Sequence, residues 1–230
     1  MVPRIASLQV GLPRSYGEGG TDAAEHRPWS TALFKETVDG PRWLGCTNLL
    51  GDGQADLVHH GGPDKAVCVY PASHYAYWRE KLGISEFGYG AFGENFTVAG
   101  LTESDVCIGD VYAVGDAVVQ LSQPRQPCWK LARRWGVNDL ASRAIAVGLT
   151  GWYFRVLREG EVRAGLTLEL RDRPCAGWTV ARANDVMYRL RDESRLTREL
   201  ADCALLSDSW RGKLWRRMER MVEADGGAAD

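Results

Sequence analysis

Short apolar runs joined by glycine turns occupy the first three quarters of the chain. Val111–Val114 and residues 117–122 flank a Gly-Asp pair, a spacing that predicts a β-hairpin. Residues 152–157 and 161–170 predict a second hairpin around a turn at 158–160. Because many short strands with tight turns favour a curved or closed sheet over a βαβ array, the pattern predicts a mainly β barrel.

Three short helices interrupt this strand pattern, and each is predicted to end at a glycine. The first follows Ser73 and stops at Gly83, the second stops at Gly136, and the third follows Asn138 and stops at Gly148. Ser and Asn are favoured as N-caps, and glycine is favoured just after a helix because it adopts positive φ readily. The predicted fold is therefore a β-barrel with a few short helices.

The hydrophobic period changes after Pro174. From there to residue 223, apolar residues recur three and four positions apart in three successive stretches, which is the period of an amphipathic helix. They are Val180, Ala183 and Met187, then Leu196, Leu200 and Cys203, then Trp210, Leu214, Met218 and Met221. The pattern predicts a barrel domain over 1–174, a small three-helix domain over 175–223 and a disordered tail over 224–230.

Composition narrows the classes of function. The 230 residues are 45% hydrophobic and 25% charged, and 28 Lys and Arg against 30 Asp and Glu leave a net charge of −2. That balance does not favour nucleic acid or an anionic membrane as a partner, and no apolar run approaches the ~18 residues that span a bilayer. The N-terminus lacks the apolar core of a signal peptide. Six cysteines without a C-x-x-C pair indicate a reducing, cytoplasmic location.

Residues 211–220 (RGKLWRRMER) form a locally basic stretch near the C-terminus. One interpretation is a helix that binds nucleic acid or a partner protein. The favoured interpretation is a surface helix with its charges outward and Leu214 and Met218 inward.

A dense run of glycine, aspartate and histidine lies at residues 51–66. Its sequence, GDGQADLVHHGGPDKA, predicts an ordered, sharply turning loop that leads into a short strand at 65–70. Two interpretations stay open: the loop is a connection only, or His60 and exposed backbone N–H groups hold a polar ligand. A zinc site built from His59, His60 and His74 is disfavoured, because adjacent histidines rarely face one ion and no further ligands lie at metal-binding intervals.

Two further stretches carry polar side chains suited to a ligand. In FGENF, the amide of Asn95 either bonds the backbone of its own turn or presents donors and an acceptor to the edge of a heterocycle. Alternation over residues 29–35 (WSTALFK) predicts a strand with Thr31 and Lys35 on one face, where a lysine beside a hydroxyl suits a phosphate. A solvated lysine on an edge strand is the competing interpretation.

The segment SQPRQPCWKL passes from a strand through two prolines into a predicted helix. Cys128 lies at the start of that helix, where the positive end of the helix dipole and the nearby Arg125 and Lys130 favour a thiolate. A thiolate is a soft metal ligand or a nucleophile. Most single cysteines are instead buried and inert. Of the six cysteines, Cys128 is the one with a predicted chemical role.

These segments resemble the MOSC-domain family, named for the C-terminal domain of molybdenum cofactor sulfurase. GDGQAD, HHGGPDKAVCVYP, FGENF, CIGD, SQPRQPCWKL and GWYFRV occur in the family's order between residues 29 and 170. The change of period after Pro174 resembles the bacterial YiiM-like branch, in which a short C-terminal three-helix domain follows the barrel. The resemblance therefore implies a MOSC-type β-barrel with that three-helix domain.

The resemblance also implies a mononuclear molybdenum site. Cys128 would supply the protein thiolate to the metal, and the pyranopterin of the molybdenum cofactor would supply further sulfurs. The other residues of suitable type are Thr31, Lys35 and Arg125 for the cofactor's phosphate, Asn95 and Gln123 for the pterin edge, and His60 for the cofactor or an oxo ligand.

Relatives in the family reduce N-hydroxylated compounds, including purine analogues, to amines, so the resemblance implies an oxidoreductase with a small-molecule N-hydroxylated substrate. The sequence has no G-x-G-x-x-G fingerprint with its acidic partner and no cysteine cluster for an iron–sulfur centre. Electrons are therefore expected from a separate flavoprotein or iron–sulfur reductase. The alternative is a module that carries the molybdenum cofactor, or a persulfide on Cys128, without turnover.

Overall fold

The computed structural model of the chain describes residues 2–17 and 28–226, with side chains described to residue 223. These residues form twelve strands: β1 (Arg4–Val10), β2 (Arg14–Tyr16), β3 (Trp29–Thr31), β4 (Glu36–Thr37), β5 (Arg42–Leu44), β6 (Val67–Pro71), β7 (Phe96–Ala99), β8 (Val111–Val114), β9 (Ala117–Pro124), β10 (Trp152–Arg158), β11 (Gly160–Val162) and β12 (Glu169–Asp172). They also form six α-helices: α1 (His74–Leu82), α2 (Lys130–Trp135), α3 (Leu140–Val147), α4 (Val180–Tyr188), α5 (Ser194–Ala201) and α6 (Asp208–Gly226).

Eight of the described strands form one curled sheet in the order β12-β8-β9-β10-β6-β7-β1-β4. Adjacent strands of this sheet are antiparallel, except β6 and β7, which are parallel and are joined in sequence by α1. Backbone bonds from Ile5 N to Leu166 O (2.9 Å) and from Leu168 N to Pro3 O (3.0 Å) draw the segment before β12 toward β1. The sheet is therefore a half-barrel that contains one βαβ unit, and the predicted mainly β architecture is confirmed.

The hairpin predicted around the Gly-Asp pair is also confirmed. β8 and β9 pair antiparallel from Val114–Ala117 back to Val111–Gln120, and Gly115 at the turn has φ 58°. β9 extends two residues beyond the predicted end, to Pro124. This extension carries the chain directly toward Arg125 and Cys128.

The predicted helix ends are confirmed as well. The residues that follow α1, α2 and α3 all have positive φ, and they are Gly83, Gly136 and Gly148. The helix starts differ in detail from the prediction. Ser73 precedes α1 but makes no side-chain cap bond, and Asp139 rather than Asn138 takes the N-cap position of α3.

The second predicted hairpin is wrong. β10 pairs with β9 and β6, whereas β11 pairs with β5 and β12 pairs with β8. Gly160 lies against the β8–β9 turn, where a Cβ would be 2.6 Å from the carbonyl carbon of Asp116. Because the chain crosses this turn so closely, it leaves the sheet after β10 instead of folding back on that strand.

Two strand predictions need shorter bounds. The strand predicted over 29–35 ends at Thr31, because Leu33 N donates to Thr31 Oγ1 (3.0 Å) and turns the chain. The strand predicted over 65–70 begins at Val67, after a 3₁₀ turn at Pro63–Lys65.

The C-terminal helices share the barrel's core. Thr179 caps α4, since its Oγ1 accepts from Arg182 N at 3.1 Å. The fully buried apolar residues of these helices pack in one cluster with the barrel, and they include Val180, Ala183, Val186, Leu200, Trp210 and Leu214. Cys203 follows α5 instead of lying within it, and α6 continues to Gly226. The rest of the predicted tail, 227–230, lies outside the described residues.

A second apolar cluster lies beneath α1, α2 and α3. Its buried members include Tyr70, Trp78, Phe92, Leu131 and Leu140. This cluster fixes α2, and therefore the segment that carries Cys128, against the sheet. In the described part of the chain, no helix has both the length and the apolar character that a membrane crossing needs.

Gly148 and Gly151 have similar positive φ but different surroundings. Substitution of each by alanine therefore compares the cost of the backbone conformation alone with that cost plus close packing. Gly148 (φ +78°) has nothing within 4 Å of an added Cβ, whereas a Cβ on Gly151 (φ +73°) would lie 2.2 Å from Val69 O. Gly148→Ala should lower the free energy of unfolding by about 1 kcal/mol, the cost of positive φ alone. Gly151→Ala should lose a further ~2 kcal/mol or more, because the sheet must move. Urea denaturation of both variants measures the difference, and equal losses would contradict the close approach.

Candidate functional site

An open cavity lies beside the β9–α2 connection. It brings together six of the seven predicted site residues, which are Thr31, Lys35, His60, Asn95, Arg125 and Cys128. These come from four separate stretches of sequence: the chain around β3, the glycine-rich loop before β6, the FGENF turn and the segment after β9. Gln123 does not line the cavity.

Cys128 is half-buried on the cavity wall, two residues before α2 begins. Leu131 N donates to Cys128 O (3.2 Å), and the Leu131 side chain is fully buried in the second cluster. Arg134 Nη1 donates to Gly90 O (2.7 Å) and Trp135 Nε1 donates to Ala91 O (2.9 Å), so α2 is bonded to the loop that precedes FGENF. The thiol therefore sits on a segment held at both ends.

Arg125 is buried at the cavity wall, with 4% of its surface exposed. Its backbone N–H donates to Gly151 O (3.0 Å), its Nη2 donates to Phe92 O, and its guanidinium lies 5.8 Å from the centre of the Phe92 ring. Nη1 has no hydrogen-bond partner among the described residues. Burial alone would lower the pKa of Arg125, but the negative charges that Cys68 and Tyr153 would acquire at high pH outweigh burial and raise that pKa, so the cation persists.

The carboxylate of Asp52 holds the inner end of the cavity together. It accepts from Lys35 Nζ, from Gly11 N (2.8 Å) and from Asn95 Nδ2 (2.8 Å). The Lys35 and Asp52 side chains are only 6% and 1% exposed, so this is a buried ion pair. Sequence reasoning included Asp52 in the GDGQAD segment but gave it no role. The available signal was an aspartate between two turn glycines, a position that favours backbone contacts.

Both ends of the Asn95 amide already bond the protein's own groups. Its Nδ2 donates to Gln9 O (3.3 Å) as well as to Asp52, and its Oδ1 accepts from Cys68 N (3.0 Å). The structural interpretation of Asn95 therefore fits better than recognition of a pterin edge. The amide connects β1, β6 and the Asp52 loop.

Gln123 is buried on the other side of β9. Its Oε1 accepts from Ser207 Oγ (2.7 Å), and its Nε2 donates to Pro124 O (3.2 Å). Ser207 N also donates to Ser122 O (2.9 Å). Gln123 therefore joins the barrel to the turn before α6, a role that depends on a partner 84 residues away.

His60 is half-buried in the cavity and carries no charge at neutral pH. Burial, followed by the positive charge of Arg125, lowers its pKa from 6.5 to about 4. The other two histidines weighed for a zinc site lie elsewhere: His59 is exposed beside Asp56, and His74 Nε2 bonds Glu103 (2.7 Å) in a buried pair. No three His, Cys, Asp or Glu side chains converge as a metal-binding group within the part of the chain described.

The cavity has an excess of positive charge. Lys35, Lys65, Arg125 and Lys130 line it against two carboxylates, Asp52 and Asp56. Lys65 Nζ donates to His59 O (2.7 Å) and Lys130 Nζ to Ser30 O (2.8 Å), so both amines bond neutral carbonyls and keep their charge available. Lys35, in contrast, is paired with Asp52. Such a cavity favours an anionic ligand.

Comparison with known proteins shows the family of this chain. The sequence model of the MOSC domain family matches residues 56–169, and the sequence model of the YiiM-like 3-alpha helix domain family matches residues 178–220. Protein YflK of Bacillus subtilis (strain 168) is 46% identical over 96% of this chain and 97% of its own length. The chain belongs to the YiiM-like MOSC proteins.

Other relatives extend the comparison. Protein YiiM of Escherichia coli (strain K12) is 40% identical over 81% of this chain and 84% of its own. The crystal structure of YiiM from Geobacillus stearothermophilus superposes with a TM-score of 0.79, at 38% identity over 94% of this chain and 99% of that one. A protein of Gibberella moniliformis named "Reductase" is 37% identical over 77% of this chain, which corresponds to 31% of that longer protein.

In this YiiM-like MOSC protein, two further cavity residues, besides Asp52, had no role assigned from sequence. Cys68 on β6 and Tyr153 on β10 lie opposite each other in the sheet, and both line the cavity. Burial raises the pKa of the Cys68 thiol and of the Tyr153 hydroxyl, so both stay protonated at neutral pH. Cys68 lies within the strand predicted over 65–70, and only the curl of the sheet places it beside Arg125.

The lowered pKa of His60 predicts a pH dependence of stability. Because the folded-state pKa of about 4 lies below the ordinary 6.5, the unfolded chain binds this proton first as pH falls. Through His60, the free energy of unfolding should therefore fall by about 1 kcal/mol for each unit by which pH drops between 6.5 and 4. His60→Gln should remove that part of the slope in urea denaturation measured across this range. A slope that His60→Gln leaves unchanged would contradict a buried, neutral imidazole.

Proposed function

We propose that this protein is a molybdenum-cofactor-dependent oxidoreductase. Its substrates are small N-hydroxylated compounds, such as N-hydroxylaminopurines and hydroxylamines, which it reduces to amines with electrons from a separate flavoprotein or iron–sulfur reductase. The observation that carries the proposal is the single cavity that holds the Cys128 thiol, the buried Arg125 and the neutral His60. Family membership and the reductase-named relative support the class of reaction.

The chemistry of the cavity fits the cofactor. The molybdenum cofactor is an anionic, phosphate-bearing pterin, and a cavity with four cationic side chains and two carboxylates suits an anion. The Nη1 donor of Arg125, which is unsatisfied among the described residues, fits an acceptor oxygen of that group. When bound, the cofactor supplies a metal centre that accepts the oxygen of an N–O bond and passes two electrons to the substrate.

The protein's own residues then have separate tasks. Cys128 provides the thiolate ligand, on a segment fixed by α2 and the second apolar cluster. Arg125, Lys65 and Lys130 hold the anionic part of the cofactor by charge, and Arg125 does so without the entropy cost of a mobile side chain because it is already buried. His60 remains neutral, so its ring can accept or donate one hydrogen bond without adding charge.

Four of the residues predicted to contact the cofactor also bond the protein itself, which changes what each is proposed to do. Lys35 is neutralised by Asp52 and contributes less to phosphate binding than Lys65 and Lys130 do. Asn95 positions the loops around Asp52, and Gln123 joins the barrel to the helical domain. Thr31 uses its Oγ1 to accept from Leu33 N, while its hydroxyl proton remains available to the cavity.

The alternative function is a carrier of the cofactor or of a persulfide on Cys128. One half-buried thiol in an open cavity is compatible with that chemistry. A carrier would release its cargo to an acceptor protein and show no turnover of N-hydroxylated compounds. The enzyme proposal requires catalytic turnover with the cofactor retained.

The experiment is an activity assay on protein made in a host that synthesises the cofactor. With N-hydroxylaminopurine as substrate and reduced methyl viologen as a donor that needs no partner protein, the wild type should form the amine catalytically. Even residues that only orient a metal ligand are worth about 10- to 100-fold, so Cys128→Ala should lower the rate by about 100-fold or more. NADPH without a reductase should support no turnover.

Cys46→Ala is the matched control. Cys46 is exposed and its backbone N–H bonds Glu159 (2.8 Å), away from the cavity, so this variant should keep the wild-type rate. Circular dichroism of Cys128→Ala should match the wild type. A folded Cys128→Ala variant with the full rate would overturn the ligand assignment, and a loaded wild type without turnover would favour the carrier.

A further inference from the structure

A pair of thiols lies outside the cavity, where the barrel meets the helical domain. Cys175 is in the segment between β12 and α4, and Cys203 is in the turn between α5 and α6. Their Sγ atoms are 3.5 Å apart, and both residues are half-buried. Neither residue contributes to the cavity or to the proposed reaction.

The surrounding chain fixes both cysteines. A Cβ on Gly109 would lie 2.5 Å from Leu205 Cδ1 and 3.1 Å from Pro174 Cγ, so the turn before β8 wedges between the two cysteine-bearing segments. Trp178 N donates to Cys175 O (2.9 Å), and Cys203 N donates to Leu200 O (3.2 Å). The two sulfurs are therefore held next to each other by backbone contacts on both sides.

Ion pairing makes this junction more rigid. Arg173 Nη2 donates to Asp110 Oδ2 at 2.7 Å, and the same oxygen accepts from Cys107 N at 2.9 Å. The Cys107 thiol contacts Ala176 O (3.5 Å) and not the neighbouring cysteines. Cys175 and Cys203 are thus the pair whose sulfurs already touch.

We infer that Cys175 and Cys203 are a redox modification site that forms an intramolecular disulfide on exposure to hydrogen peroxide. One sulfur attacks the O–O bond and becomes a sulfenic acid as the first water leaves. The second sulfur then displaces the hydroxyl group, and the S–S bond forms as the second water leaves. The two sulfurs lose two electrons, the peroxide gains them, and both thiol protons end in water. A small thiol reverses the reaction by exchange.

The geometry requires little movement. A disulfide has sulfurs about 2.05 Å apart, so the pair must close by ~1.5 Å, which side-chain rotation can supply. Burial and the Cys203 thiol raise the pKa of Cys175 to about 11. The pair should therefore react more slowly than an ordinary exposed cysteine, and oxidation should need sustained peroxide.

The bond would tie the segment that enters the helical domain to the turn between α5 and α6. The two cysteines are 28 residues apart, and the loop between them contains α4 and α5. Closing that loop restricts the unfolded chain and stabilises the folded one. It would also fix the turn whose Ser207 bonds Gln123 on β9.

The test is stepwise treatment of the full-length protein with hydrogen peroxide, followed by thiol counting and peptide mapping. In the wild type, the thiols of Cys175 and Cys203 should be lost together, after any faster oxidation of the exposed Cys46. Mapping should give a peptide that links 175 to 203, and dithiothreitol should restore both of these thiols. The melting temperature should rise by about 5 °C on oxidation. Cys203→Ser should abolish the linked peptide and the shift, and Cys46→Ser should keep both.

A Cys46→Ser/Cys128→Ser double variant removes the two thiols most able to compete for peroxide. It should form the 175–203 bond at the wild-type rate. If mapping of the wild type or of this double variant shows no 175–203 linkage, or only linkage between molecules, the inference is wrong. Because both forms keep Cys175 and Cys203, a folding defect of a single variant does not affect this result.

Discussion

The buried carboxylate of Asp52 is the interaction on which the site depends. Its two oxygens accept from Lys35, from the backbone of Gly11 and from Asn95, and these groups belong to three different stretches of chain. A buried ion pair offsets its desolvation cost only when further hydrogen bonds satisfy its members, and the Asp52 carboxylate accepts two such bonds besides the one from Lys35. The arrangement fixes the inner end of the cavity and neutralises Lys35. The positive potential left for a ligand therefore comes from Arg125, Lys65 and Lys130.

The part of the cavity lining that carries Cys128 is held in place by apolar packing and hydrogen bonds rather than by the Asp52 ion pair. Apolar packing beneath α1, α2 and α3 buries Leu131, and side-chain bonds from Arg134 and Trp135 to backbone carbonyls fasten α2 to the chain before FGENF. Arg125 is fixed at two points, because its guanidinium bonds Phe92 O while its backbone N–H bonds Gly151 O. The Cys128 thiol and the Arg125 cation are therefore both held in place on the cavity lining.

Local patterns allowed much of the fold to be predicted. Glycines with positive φ ended α1, α2 and α3 where expected, and the Gly-Asp turn between β8 and β9 was assigned correctly, because both signals act within a few residues. The pairing of β11 with β5 was missed. It depends on the close passage of Gly160 over the β8–β9 turn, which no local pattern reveals. Six of the seven residues predicted for the site line one cavity in the structure. The contacts of Asn95 and Gln123 could not be predicted, because they depend on Asp52 and Ser207, which are far away in sequence.

The central claim is that this cavity holds the molybdenum cofactor through Cys128, and the most direct measurement is the content of molybdenum and pterin per protein chain. The protein should be purified from a host shown to load other molybdoenzymes, beside its Cys128→Ala variant. The account predicts near-stoichiometric molybdenum and pterin in the wild type, with the metal lost or loosened in the variant. Wild-type protein that contains neither metal nor pterin would contradict it.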